Sequence, residues 1–477
     1  MFVKNSFEYD ARVTREAKTL IDVGHQVTVI AIHVPGVTLE RETTSDGIEV
    51  VRVSRVNMGM AAINRFASRY AGAIERRNSR LTGAPVDLDL VRELGTMQPP
   101  STATPGDAVA FKVEPPLPSM RPTSSARRLW GRLTTPILRG LARLARLGFR
   151  VAKTLLAHQG RALKTWAINQ RMIDEGLATG ASTYHSHDLN TLYIGHVCKR
   201  RSAGSKLVYD SHELATERNR MGYWWKKWAT WNERRWIRSA DALIVASPFW
   251  IEEIEQKTGY LPPLSATVIN APERLDIEPL DLRAELGIEA SRPMLLYQGS
   301  IQENRGIEPA IEAITMLDDA VLVVIGYGYH RLALENMVAR RSLSDRVRFF
   351  GPIPNYELLR YSASADIGMC NIVNSSLSYY TSLPNKLFEY IMAGIPVIGS
   401  DSPGIGRIVQ ETGIGEVADP VDPAALAAAA KTILANPAPY REATRDAAAR
   451  YHWGVEKKRL LELYERLPRG STHPFRG

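Results

Sequence analysis

The sequence predicts an α/β protein built on parallel sheets, and three observations carry this. From Met294 onward, short apolar runs alternate with helical patterns: Met294–Gln298, Val321–Ile325, Val347–Phe350, Ile367–Cys370 and Val397–Ile398. Such alternation means parallel strands covered by helices on both faces. A similar, interrupted alternation runs through the first 270 residues. Finally, Leu383–Asp401 reads as loop, helix and buried strand. Leu387, Phe388, Ile391 and Met392 form the helical stripe, and Gly394 ends it.

In chain order, Phe2–Asn5 is the end of a strand. Arg12–Val23 follows as a helix with Val13, Ala17 and Leu20 inward, stopped by Gly24. Gln26–Ile32 and Ile48–Val53 are strands. Residues 57–180 are irregular. Pro85–Ser125 is rich in proline and small polar residues and cannot bury enough apolar surface to offset chain entropy, so it reads as a linker or lid. Thr135–Gln159 reads as a helix. Its Arg139, Arg143, Arg146, Arg150 and Lys153 form one stripe opposite Leu141, Leu144, Leu147, Val151 and Leu155. Strands resume at Thr183–Ser186, Lys206–Tyr209, Ala242–Ala246 and Thr267–Asn270. Between them, Trp224, Trp228 and Trp231 share a helical face, with Lys226, Lys227, Arg234 and Arg235 interleaved. That helix suits a membrane–water interface and equally a packed core. The domains expected are 1–270, 271–452, and a closing helix and tail over 453–477.

The chain of 477 residues has a formal charge of +9, but ten basic and no acidic residues lie between Arg127 and Lys164. Without that run the rest is close to neutral. The basic character is thus local and fits an anionic membrane surface rather than nucleic acid. The solvated face of an ordinary helix is the plainer reading. No run of about 18 apolar residues is present. The N-terminus lacks a signal-peptide core, so the protein is expected in the cytoplasm, peripheral at the inner face of the plasma membrane. Cys198 and Cys370 make no metal or redox motif and read as core thiols.

The chemistry centres on strand ends. The loop GSIQENRG has Gly299, which lets backbone approach a phosphate, and Arg305, which can grip one through two hydrogen bonds. The helix starting near Asn385 offers free N–H groups and a positive dipole end. Glu389 sits about one turn in, placed for a ribose diol. In the first half, HSHD puts His185 and His187 on one side of a strand end, followed by Asp188. This pair invites a metal reading, but no third ligand is evident nearby in the sequence. Tyr209–Glu213 ends the next strand, where His212 or Glu213 could orient a hydroxyl.

PNKLFEY and AGIPVIGSD, preceded in order by GSIQENRG, VIGYG, VRFFGPI and SADIGM, resemble the donor-binding segments of retaining glycosyltransferases of family 4. The resemblance implies the GT-B fold: two Rossmann-like, doubly wound domains facing a cleft, here with a basic helical insertion in the first. It also implies a nucleotide diphosphate sugar as donor, no metal or other cofactor, and a lipid-linked or saccharide acceptor. Carried over residue by residue, it places Gly299, Ser300, Arg305, Ile353, Thr381, Ser382, Leu383, Lys386 and Glu389 at the donor, and His187 at the transferred sugar. Ser300 stands where the family has a basic residue. Thr381 stands where it has the first carboxylate of E-x7-E, which chains with the NKLFEY version often lack. EYDARVTREAKTLIDVGHQVTVI resembles the family's opening, where a full strand usually comes first. Its shortness here is expected of a misplaced start or a trimmed fragment. A sugar-nucleotide 2-epimerase of the same architecture and a non-catalytic membrane-bound relative are the alternative readings.

Overall fold

The computed structural model describes residues 1–8, 10–54, 163–217 and 221–468. The Pro-rich segment 85–125 and the basic stripe Arg139–Lys153 lie outside the described residues. Residues 1–54 and those from 167 onward form one compact unit.

The first sheet contains β1 (Thr28–His33), β2 (Arg41–Thr43), β3 (Glu49–Ser54), β4 (Thr183–His187), β5 (Lys206–Ser211), β6 (Ala242–Val245) and β7 (Leu264–Thr267). Parallel pairing gives β1–β3 and β4–β5–β6–β7, with β2 antiparallel on β3. Phe2 bridges the two groups, pairing with Ile30 on one side and Ser186 on the other. The Phe2 N–H donates to the His185 carbonyl at 2.8 Å, and the Ile30 N–H to that of Met1 at 2.8 Å. Residues 1–3 therefore hold the central strand position, and the doubly wound order turns between them and β4.

The second sheet contains β8 (Met294–Gln298), β9 (Val321–Ile325), β10 (Val347–Phe350), β11 (Ile367–Cys370), β12 (Val397–Ser400) and β13 (Gly415–Ala418). All pairs are parallel, in the order β10-β9-β8-β11-β12-β13. That is the Rossmann order, whose direction reverses between β8 and β11. Ligands of such sheets bind in the crevice outside the carboxyl ends of the strands at that point. Its strands are buried throughout their length at β8, β9, β11 and β12, as near-continuous apolar runs require.

Three expectations are corrected. The strand expected over Thr267–Asn270 is β7, which ends at Thr267. Val268 and Ile269 are apolar because they are buried; the Val268 N–H still donates to the Val245 carbonyl of β6 at 2.9 Å, but the pairing goes no further. The Val268 carbonyl accepts from Arg12 at 2.7 Å, and the Ile269 N–H donates to Glu456 at 2.8 Å. Second, the α/β pattern resumes before Ser182, since residues 167–178 are helical and bury Met172 and Ile173 completely. Gly176 on this helix is required by the packing, because a Cβ there would lie 2.6 Å from the Phe2 ring. Third, β2 and β13 extend the two sheets beyond the strands expected.

The Trp453–Arg466 helix packs on the first sheet, with Trp453 buried against Val208, Ile244 and Val268. Its indole N–H donates to Thr19 at 2.9 Å. Both cysteines are free and buried, and burial pushes each thiol up to about 12. Among the described residues, no helix is long and apolar enough to cross a membrane.

Candidate active site

A cleft of about 530 Å³ opens between the two sheets, at the carboxyl ends of their strands. The second half contributes Arg305, Ser382, Leu383, Asn385 and Glu389 to its lining; the first contributes Arg12, Arg15, His212, Glu213 and Asn270.

On the second wall, Gly299 ends β8 in the left-handed region with φ 117°. A Cβ on Gly326, at the end of β9, would lie 2.0 Å from the Gly299 carbonyl. Only glycine permits these two strand ends to approach so closely. Arg305 enters the cleft with its guanidinium 4.6 Å from the Tyr379 ring, and its buried Nε has no hydrogen-bond partner. The Asn385–Ala393 helix opens on the cleft, and Glu389 lies one turn in. Gln298 donates its side-chain N–H to Glu389 and accepts from Ser362 at 2.6 Å. The Glu389 carboxylate, which accepts, sets which way the amide faces. Burial raises the Glu389 carboxyl, opposed by the Gln298 hydrogen bond and then by Arg15 and Lys386.

Several residues expected at the donor lie behind this lining. The Ser300 carbonyl accepts from Tyr297 at 2.8 Å. Ile353 packs into the apolar cluster with Phe350. Thr381 turns toward the first half. Its hydroxyl accepts from the Trp250 indole at 2.9 Å and donates to the Leu377 carbonyl at 2.8 Å, and its carbonyl accepts from Ser247 at 2.7 Å. The hydroxyl is thus spent on joining the two walls. Ser382 lines the cleft and donates to the Tyr379 carbonyl at 2.9 Å.

Lys386 is buried under the Tyr297 ring, with Nζ 3.6 Å from the ring centroid. Burial, aided by Arg305 and opposed by Cys370 and Glu389, lowers it to about 7. At neutral pH it is thus partly uncharged. An anion bound beside Arg305 favours the protonated amine, so binding takes up a proton. The ratio of wild-type to Lys386→Met affinity for inorganic pyrophosphate, in which the ligand's own ionisation cancels, is expected to fall as pH rises from about 6 to about 9. Calorimetry of both proteins checks this. A ratio that is flat over that range would contradict it.

The first wall is built on a buried charge network. Arg12 Nε and Nη2 donate to the two Asp210 oxygens at 2.9 and 2.8 Å, and Arg12 Nε lies 3.0 Å from Glu16. Burial opposes the Asp210 charge, but Arg12 and then His212 hold its carboxyl well below the usual range. Glu16 moves the other way, raised by burial and by Asp210. His212 Nε2 lies 3.1 Å from Asp210. Burial works against its charge, yet Asp188 and Asp210 prevail and raise it to about 9. His212 thus presents a positive charge to the cleft at neutral pH.

His187 does not line the cleft. It is buried behind His212, with Nδ1 3.2 Å from Asp210, and its ring stacks on His185 at 4.2 Å. Burial lowers its pKa. His185 in turn lies 2.8 Å from the Tyr464 hydroxyl. The third ligand that HSHD lacks in sequence is supplied in space. Glu16, His185, His187 and Asp210 each offer an atom within 4.8 Å of the others. The Glu16 helix comes from far away in the chain, so no spacing announced it. The Arg12 guanidinium already occupies both Asp210 oxygens. Asp188, which follows β4, has φ 65° and ψ 160°, a region that strains any residue with a Cβ.

Sequence reasoning missed Arg12, Arg15, Glu16, Asp210 and Asn270. The first three lie within YDARVTRE, and a helix that places two arginines and a glutamate on nearly one side was the available signal.

Residues 280–451 match the family described as Glycosyl transferases group 1. The amylovoran biosynthesis glycosyltransferase AmsK of Erwinia amylovora is 27% identical over 203 residues, which is 41% of this chain and 50% of AmsK. The chain spans about half the length of the curated relatives it matches. Sucrose-phosphate synthase from Thermosynechococcus elongatus superposes with a TM-score of 0.63 at 17% identity, covering 95% of this chain and 92% of that one. The fold is GT-B. Anabaena Alr3699/HepE, solved in complex with UDP-glucose, gives a TM-score of 0.53 at 17% identity over 62% of this chain and 82% of its own. The Asn385–Ala393 helix, Arg305 and Glu389 all fall within the segment that matches the family.

Proposed function

We propose that the protein is a retaining glycosyltransferase of family 4. It moves a sugar from a nucleoside diphosphate sugar to a hydroxyl of a lipid-linked or cell-envelope polysaccharide acceptor. One observation carries the reading: Arg305, the N-terminus of the Asn385–Ala393 helix and Glu389 meet in one cleft at the reversal point of the second sheet. The helix end and Arg305 suit a diphosphate, and Glu389, aimed by Gln298, suits a ribose diol. HepE with UDP-glucose and AmsK in amylovoran biosynthesis agree with this chemistry.

In the reaction, the bond from the sugar's anomeric carbon to the diphosphate breaks as the acceptor oxygen bonds the same face. The acceptor's proton passes to the departing phosphate, and the charge left there is stabilised by Arg305 and the helix end. The step uses neither a covalent nucleophile nor a metal. His212 and Glu213 border the acceptor side, and His187 supports His212 from behind. A panel of nucleotide sugars in a thermal-shift assay, followed by turnover with lipid-linked acceptors, tests this. A donor that raises the melting temperature and releases its nucleoside diphosphate is expected. If no nucleotide sugar binds, the reading fails.

The acceptor's membrane setting is supported by the Tyr223–Trp236 helix. Its buried residues are Ala229, Asn232 and Glu233. Trp224, Trp225, Trp228 and Trp231 are between 52% and 79% exposed, which does not suit core packing and supports the interface reading. Trp236 alone of the five turns inward, 5.1 Å from Tyr193. Lys226, Lys227, Arg234 and Arg235 flank the tryptophans, while Glu233 is buried and paired with Lys257 at 2.7 Å. Lys226 is paired with Glu217 at 2.6 Å, and the exposed indoles with Lys227, Arg234 and Arg235 beside them fit an anionic bilayer surface, with the enzyme cytoplasmic and peripheral. Replacing Trp224, Trp228 and Trp231 with Ser is expected to lower partition onto phosphatidylglycerol vesicles by about tenfold or more, from lost apolar burial. Sedimentation checks this; unaltered partition would remove the helix from the membrane.

A further inference from the structure

We propose that Arg15 is a second cation on the donor's diphosphate, reaching it from the wall opposite Arg305. This rests on the nucleotide-sugar reading of the cleft. A diphosphate's charge exceeds what one guanidinium neutralises, and Lys386, on the helix whose N-terminus opens on the cleft, is buried and partly uncharged.

Arg15 lines the same cleft as Arg305. Each has a buried Nε–H with no hydrogen-bond partner. Among the described residues, neither makes an ion pair with a carboxylate. Buried donors without partners are rare in folded proteins, and two guanidinium groups facing one cleft mark a place for an anion. Both are held by uncharged groups. Arg15 donates to the Asn270 side-chain oxygen and lies 5.5 Å from the Trp453 ring, as Arg305 lies over Tyr379.

Asn270 sets the position. Its side-chain N–H donates to Asn385 Oδ1 at 2.8 Å, and Asn385 is the first residue of the helix whose N-terminus opens on the cleft. One residue therefore ties Arg15 to the helix end that suits the phosphates. Burial lowers Arg15 below the usual guanidinium range, with Glu389 the strongest opposing charge. That is the state of a buried cation without a close counter-ion. Arg12, one turn earlier, shows the contrast, since its guanidinium is filled by Asp210 and the Val268 carbonyl.

The test is titration calorimetry of wild type, Arg15→Gln and Arg305→Gln with UDP, GDP, ADP, the parent nucleosides and inorganic pyrophosphate. Arg15→Gln is expected to weaken the nucleoside diphosphate that wild type binds, and pyrophosphate, by about tenfold. The nucleosides should be unaffected, and Arg15→Lys should recover most of the loss. Arg15→Met, which keeps the packing on Trp453, serves if the Gln variant does not fold. Wild-type diphosphate affinity in Arg15→Gln, with affinity lost in Arg305→Gln, would overturn the proposal and leave the reading of the cleft intact. Diphosphate affinity retained while the requirement for acceptor rises would move Arg15 to an acceptor phosphate. A wild type that binds no nucleoside diphosphate would instead overturn the reading of the cleft itself.

Discussion

Arg12→Met is expected to destabilise the protein by about 3–5 kcal/mol, the usual consequence of removing one partner from a buried ion pair. Arg12 is 3% exposed and Asp210 fully buried. The arginine closes three contacts at once, to Asp210, to Glu16 and to the Val268 carbonyl. Without it, Asp210 keeps only the histidines, and Val268 loses its partner for a buried carbonyl. Unfolding by urea, read as a shift in midpoint, measures the loss. A second change, Asp210→Asn, in the same chain should restore part of it, because an uncompensated charge is then no longer buried. The pH dependence gives a further check. Asp210 is depressed in the folded state, so its contribution is complete above the ordinary value of 3.8 and is lost as pH falls below that. The variant should show a smaller acid-side loss, since only the histidines then hold the charge. A change below about 1 kcal/mol would mean that the network contributes no more than a surface pair.

Arg305→Ala should reduce affinity for the donor's nucleoside diphosphate by about 1.5–3 kcal/mol, the range for a hydrogen bond to a charged group. That is roughly tenfold to more than a hundredfold. Its Nε is already dehydrated and unpartnered, so little is lost on binding and the gain from the anion is nearly full. Glu389→Gln should weaken nucleoside diphosphate and donor alike, since its proposed partner is the ribose. Sugar transfer that suffers while nucleotide affinity holds would move Glu389 to the sugar. Diphosphate affinity equal to wild type in Arg305→Ala would put the phosphates elsewhere.

The sequence by itself determined β8 to β12 of the second sheet, because each is a short apolar run set off by a helical period, and both signals are local; β13, reading GEVA, carries no such run and was missed. It also brought out residues of the cleft's second wall. Gly299, Arg305 and Glu389 sit at strand and helix ends, and the order of the elements says which ends meet. Residues 167–178 carry the same local signal, with Ile168, Met172, Ile173 and Leu177 at helical spacing, but lie within the stretch expected to be irregular. It misplaced β7 because TVIN is apolar for burial against the Trp453–Arg466 helix and Arg12, and burial leaves the same mark as a strand. Only the tertiary structure decided which side of the Tyr223–Trp236 helix meets the core, since Trp and Lys alternate on it without a polar face to read. Only it decided the first wall as well. Arg12 and Asp210 are 198 residues apart, Arg15 and Asn270 are 255, and Trp250 and Thr381 are 131. A buried polar group is satisfied by whatever lies within about 3 Å, and that proximity has no period in the chain. Arg12 and Arg15 are the same residue type three positions apart on one helix. One is closed by a carboxylate and the other left open to the cleft, a difference made entirely by what the fold brings beside them.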